Sequence, residues 1–349
     1  MSSTPILRRA LTVALVLLAG LSARAAHAEV CAEGLCAAVP EGYARGQYGA
    51  VAGVAPGPAH LRGTLVLGYA HTSGVRLVEW DVATARVSRI ASLGGAAGVE
   101  TDVAVTRRPG GFAVLTTPRR GAQAAHLFLV DDAFRVTASR RLDAGHDPAI
   151  GFGGDTLAVA WLTGNDRLSV ARFDPNDASA RARSEVKLPG PAAMVPGVSL
   201  VVTQEHVFAG LKLEPTFVLV EASPSLVSVT VSPRDVTEGT LALDGDVPHL
   251  LTRDREGAIV DGVLHGDLSL GEARVVDHTP NDIGLAVAFG REHVLALPSG
   301  ALVSAGLAGV GSRRAVSGKL VQRLVWVGER VVSVDSSWKV PTMVITREE

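Results

Sequence analysis

The chain has 349 residues, of which 47% are hydrophobic, 19% charged and only 4% aromatic, with a formal charge of −2 and a mean hydropathy of +0.27. No apolar run reaches the roughly 20 residues that cross a bilayer, and the low hydrophobicity and high net charge of a disordered chain are both absent. Two cysteines exclude a disulfide scaffold.

Residues 1–28 read as a secretory signal peptide. Arg8 and Arg9 form a basic start, Ala10 to Leu21 is an apolar stretch of twelve, and Ala26-His27-Ala28 is the small-x-small pattern for cleavage before Glu29. Twelve apolar residues are too few for a membrane anchor, and Ala28-Glu29-Val30 before Cys31 is not a lipoprotein signal. The expected compartment is the periplasm or the cell exterior. Losing Arg8, Arg9 and Arg24 leaves 30 of the 33 basic residues against 35 acidic ones, a balance of −5. That excludes the basic stripe a nucleic-acid partner requires. Only residues 187, 212, 319 and 339 are lysine, an arginine bias that fits a GC-rich bacterial genome. In an oxidising compartment Cys31 and Cys36, with four residues between them, are expected to form a local structural disulfide.

Beyond residue 48 the chain repeats itself. Short β-branched runs begin at Thr64, Phe112, Thr156, His206, Val247, His293 and Arg330, a mean spacing of about 44 residues. After each run come a polar turn and a second strand, as in Val75-Arg-Leu-Val-Glu-Trp80, and then a third, as in Glu185-Val-Lys-Leu188. Val227, Val229 and Val231 alternate with Ser228, Thr230 and Ser232, the period of two of a strand with one buried face. Gly- or Pro-rich links lead to a further strand before the next run, such as Asp102-Val-Ala-Val-Thr106 or Leu200-Val-Val-Thr203. No convincing amphipathic helix interrupts the series.

Four strands in about 45 residues resembles the blade of a β-propeller. Glu79-Trp80-Asp81 is similar to the Trp-Asp turn of WD-type blades, but it occurs once and without its Gly-His partner motif. The resemblance covers most of residues 49–349 without selecting a family. It implies an all-β propeller, most simply of seven blades, with six or eight blades as alternatives. Two β-sandwich domains divided near Pro189-Gly-Pro191 are a further alternative. The last unit has only three strands, and the segment 29–48 is expected to supply the fourth. With so few rings, small aliphatic side chains must fill the space between sheets.

Motifs for chemistry are sparse, and no catalytic residue or metal ligand is assigned. Ser336-Ser-Trp-Lys339 fits the Ser-x-x-Lys of penicillin-recognising enzymes only in spelling, because it lies between strands rather than at a helix start. Gly151-x-Gly153-Gly154 and Gly306-x-x-Gly309-x-Gly311 lack a βαβ unit and read as turns. Asp174-Pro-Asn176-Asp177 offers oxygens for calcium but is first of all a turn. His206 and His293, which open or precede strands, read as edge residues.

In a propeller the links between blades converge on one end of the central channel. Here they carry Glu100, Asp102, His146, Asp147, Glu238, Asn281 and Asp282. Carboxylates gathered on one axis favour a basic ligand or a divalent cation. No cofactor is otherwise expected. The resemblance implies a monomeric, non-catalytic binding or scaffolding module for a protein, glycan or small ligand. The alternative it allows is a hydrolase or lyase using carboxylates or a metal at the channel mouth.

Overall fold

The structure is a computed structural model. It describes residues 30–32, 35–38, 53–56, 64–71, 74–81, 86–94, 101–118, 124–192, 197–213, 216–223, 229–234, 236–278, 286–288, 293–296, 301–306, 309–315, 323–327, 330–337 and 340–346. The leader 1–28 therefore lies outside the described residues. Among the described residues every regular element is a strand.

A short hairpin, β1 (Val30–Ala32) and β2 (Leu35–Ala38), opens the chain. The first four-stranded sheet is β3 (Gly53–Pro56), β4 (Thr64–His71), β5 (Gly74–Asp81) and β6 (Arg86–Gly94). The second is β7 (Thr101–Arg108), β8 (Gly111–Pro118), β9 (Ala124–Asp131) and β10 (Val136–Ala144). In the third are β11 (His146–Gly153), β12 (Thr156–Leu162), β13 (Arg167–Phe173) and β14 (Ala180–Lys187). The fourth holds β15 (Ser199–Val202), β16 (Val207–Lys212), β17 (Phe217–Ala222) and β18 (Val229–Arg234). A fifth follows with β19 (Glu238–Asp244), β20 (Val247–Arg253), β21 (Ala258–Leu264) and β22 (Leu270–His278). The sixth has β23 (Ala286–Ala288), β24 (His293–Ala296), β25 (Ala301–Gly306) and β26 (Gly309–Ala315). Finally β27 (Arg323–Val327), β28 (Arg330–Ser337) and β29 (Val340–Thr346) are joined by the N-terminal hairpin in the order β27-β28-β29-β2-β1.

Each repeated run of the sequence is thus the second strand of a sheet, from β4 to β28. The four-stranded sheets are antiparallel meanders, and the last is a meander of β27, β28 and β29 to whose edge the hairpin β1-β2 adds antiparallel through β2. The first strand of each sheet lies against the first strand of the next, from β3 to β27, and β27 lies against β3.

Both faces of the middle strands β8, β12, β16 and β17 are buried, and the period of two sorts their side chains between neighbouring sheets. On β12, Leu157, Val159 and Trp161 pack towards the second sheet, while Ala158, Ala160 and Leu162 pack towards the fourth. Strand β8 does the same, sending Phe112 and Val114 to the first sheet and Ala113 and Leu115 to the third. The core is therefore a series of layers between sheets, at roughly 1.5–3 kcal/mol for each large apolar side chain buried.

Small residues let neighbouring sheets approach closely beside the buried rings of these layers. A Cβ added to Gly153 would lie 2.0 Å from the Val202 carbonyl oxygen of the neighbouring sheet, so β11 and β15 meet backbone to backbone there. The cluster at 151–154, expected as a turn, has two of its glycines inside β11. Further apolar plugs come from the turns into the fourth strands. Phe134, Ala178 and Leu268 take left-handed backbone conformations (φ 64, 60 and 65). That conformation drives each apolar side chain back into the layer shared with the preceding sheet. Outer-strand arginines seal two of these layers: Arg89 lies over the Phe134 ring and Arg140 over Phe173.

Candidate functional site

The start of each first strand sits at the same end of its sheet, and the described acids of the links stand at or next to those starts. Asp102 is the second residue of β7, His146 and Asp147 open β11, and Glu238 opens β19. Glu100, Asn281 and Asp282 lie outside the described residues.

The head of β11 is irregular for reasons written in its sequence. His146 pairs with Leu162 and Ala149 with Ala160, so three steps on β11 meet two on β12 and one residue is extra. Pro148 has no N–H to give the ladder. Asp147 absorbs the bulge with φ of 53, a left-handed conformation that Asp tolerates better than most residues.

The bulge folds the Asp147 carboxylate back onto His146, whose Nδ1 bonds Asp147 Oδ2. The other ring nitrogen, Nε2, lies 3.1 Å from the Gly164 carbonyl oxygen. Both neighbours accept hydrogen bonds only, so the ring that satisfies both is the imidazolium, donating from each nitrogen. The Asp147 bond is the largest influence and raises the His146 pKa above the ordinary histidine value. Burial opposes it, while the Gly164 carbonyl and the charge of Asp102 assist. Asp102 is only 2% exposed and brings a second sheet's acid to the same place.

The sign of the pH dependence follows. His146 contributes stability fully below the unfolded histidine value of roughly 6.5. That contribution disappears as pH rises through the higher folded value. In an NMR titration, His146 should titrate above about 6.5, and Asp147→Asn should bring its midpoint down. A midpoint unmoved by Asp147→Asn would contradict this assignment.

Glu238 stands apart from this pair. Arg253, its register partner on β20, places Nε 3.8 Å from Glu238 Oε2, and the Thr237 hydroxyl donates to the Arg253 carbonyl at 3.1 Å. Asp102, His146 and Asp147 are thus brought together, whereas Glu238 is faced by a buried guanidinium. Among the described residues no group of three or more His, Cys, Asp or Glu is placed to hold a metal ion.

The Asp174–Asp177 segment is a turn whose oxygens serve the chain itself. Asp174 accepts the Asn176 N–H at 2.8 Å and the Arg181 guanidinium at 2.6 Å, and Asp177 accepts the Ser179 N–H at 2.7 Å. The Asn176 N–H above all, with Arg181, holds the Asp174 carboxyl below its usual range. Ser336 and Ser337 end β28, and Trp338 and Lys339 lie outside the described residues.

Three buried acids escaped sequence reasoning. Asp261 accepts from His249 Nδ1 at 2.8 Å and from Arg274 at 3.4 Å. His206 Nδ1 lies 2.9 Å from Glu221, and Arg89 lies 3.4 Å from Glu79. The signal was present: each acid interrupts an apolar third strand, as in Ala-Ile-Val-Asp261-Gly-Val-Leu.

No protein-family profile and no curated protein matches the chain. Solved structures do. The Cps50 (Swd1) β-propeller domain of Myceliophteria thermophila is 13% identical, with 86% of this chain and 97% of that one covered at a TM-score of 0.57. The Dos1 propeller is 9% identical, covering 86% and 93% with a TM-score of 0.53. BamB from Moraxella catarrhalis is 12% identical, covering 85% and 84% at 0.50. At such identities the likeness is one of fold alone. The chain is a β-propeller, without a specific family.

Proposed function

We propose that the seven sheets are seven blades of one closed ring, forming an exported, non-catalytic binding or scaffolding module. Its partner is a protein, glycan or small ligand in the periplasm or outside the cell, met by a monomer at the channel mouth. Closure is supported by β2 pairing with β29 and by the adjacency of β27 and β3. Export is supported by the leader sequence that ends at Ala28. The observation that carries the binding reading is the pairing at the mouth. We read the mouth as a collar of polar groups already paired within the fold, with His146 engaged at both nitrogens and Glu238, apart from it, facing Arg253.

The reading is tested by photo-crosslinking in the living cell. A reactive residue at exposed Asn165, beside Gly164 at the collar, should capture a partner. One at Asp177, in a turn at the other end of the sheet, should not. Calorimetry with calcium and magnesium, and a glycan array, cover the remaining ligands. Replacing Glu100, Asp147, Glu238 and Asp282 together should abolish whichever interaction is found, and an unchanged interaction overturns the channel-mouth reading. A divalent ion bound at the axis would instead favour a hydrolase or lyase.

A further inference from the structure

Cys31 and Cys36 occupy the hairpin that joins the two ends of the chain. Cys31 on β1 is the register partner of Cys36 on β2, and Cys36 is in turn the register partner of Ile345 on β29. Only Glu33 and Gly34 separate the two strands. In an antiparallel ladder with a two-residue connection, the pair closing the turn is hydrogen-bonded and the next pair is not. The cysteines hold that next position, where the Cα atoms of an ordinary ladder lie about 4.5 Å apart. That separation is within the range of roughly 4.4–6.8 Å that a disulfide spans. By the same alternation, the backbone groups of Cys36 turn away from β1 and towards Ile345.

We propose that Cys31 and Cys36 form a thiol-dependent latch on the seam between β2 and β29. This rests on the exported, ring-closed reading. Formation removes two protons and two electrons from the paired thiols and makes one S–S bond. The electrons pass to an external disulfide oxidant, such as glutathione disulfide, which is reduced to two thiols. Once formed, the bond restricts β2 to its hairpin, so the seam opens less often. Reduction leaves the three-residue β1 and the four-residue β2 held by their short ladders alone, three pairs between them and four to β29. The edge of β29 is then uncovered. The latch therefore distinguishes a reducing compartment from an oxidising one, a distinction that matters for an exported chain.

The test uses the protein recovered from the exported fraction of a bacterial host. Alkylation and mass spectrometry should find no reactive thiol until a reductant is added. Hydrogen exchange in β29 should then accelerate by about thirty-fold on reduction, while β12 remains unchanged. The Cys31→Ser/Cys36→Ser variant should exchange at the reduced rate with or without reductant. Two reactive thiols in the exported protein, or slow β29 exchange in both redox states, overturns the latch and leaves closure standing. Fast β29 exchange in both states overturns closure itself, and the latch with it.

Discussion

Replacing Asp261 by alanine should lower the unfolding free energy by about 3–5 kcal/mol, measured by urea unfolding at an unchanged m value. The carboxylate is 4% exposed and sits between His249 and Arg274, each on a neighbouring strand of the fifth sheet. Alanine removes the carboxylate that both face, and the largest loss falls on the buried His249 Nδ1, because Arg274 at 36% exposure still reaches solvent. The cost therefore comes from the partners left behind more than from the pair lost. Apolar replacement of all three residues, as Asp261→Leu, His249→Leu and Arg274→Met, should recover most of the deficit. A loss below roughly 1 kcal/mol for the single variant would place the three groups in a solvated, weakly coupled setting.

A second large effect is expected at Gly153. Alanine there should cost about 3 kcal/mol, the upper end for overpacking. The added Cβ would stand 2.0 Å from the Val202 carbonyl oxygen and 2.6 Å from its carbon. Those are backbone atoms, so no rotamer change relieves the clash and β15 itself must move. Gly190 provides the control, since nothing lies within 4 Å of a Cβ at that position. Gly190→Ala should stay within about 0.5 kcal/mol of the wild type by thermal or urea unfolding. Equal effects at the two sites would mean that the third and fourth sheets meet more loosely.

Those two sites also separate what the sequence made legible from what it concealed. Periodicity within a strand is local, so β4, β8, β12 and β28 could be placed from their runs alone. A counting argument pointed to the segment 29–48 for one strand covering the edge of a three-stranded unit, whereas the sheet gains two, β2 against β29 and β1 beyond it. Partners across sheets carry no such local mark. Arg89 meets Asp132 and Phe134 more than forty positions away, and nothing near Arg89 announces them. At the site, Asp102 and Asp147 could be grouped because both stand in links. The bulge that turns Asp147 onto its own neighbour could not, although Pro148 was a clue to it. Gly153 was misread as a turn residue because a glycine needed for a close approach looks the same in sequence as one needed for a bend.

The pairing of Leu35 with Thr346 also constrains when the molecule can finish folding. Its two halves are 311 positions apart, and the entropy of closing so long a span must be met before the contact contributes anything. Middle sheets join neighbours in sequence and can assemble as the chain lengthens, but the last sheet must wait for residues 340–346. An incomplete chain is therefore left with a sheet that lacks partners on one side. Final assembly waits for β29 to meet β2, a contact of high sequence separation of the kind that slows folding.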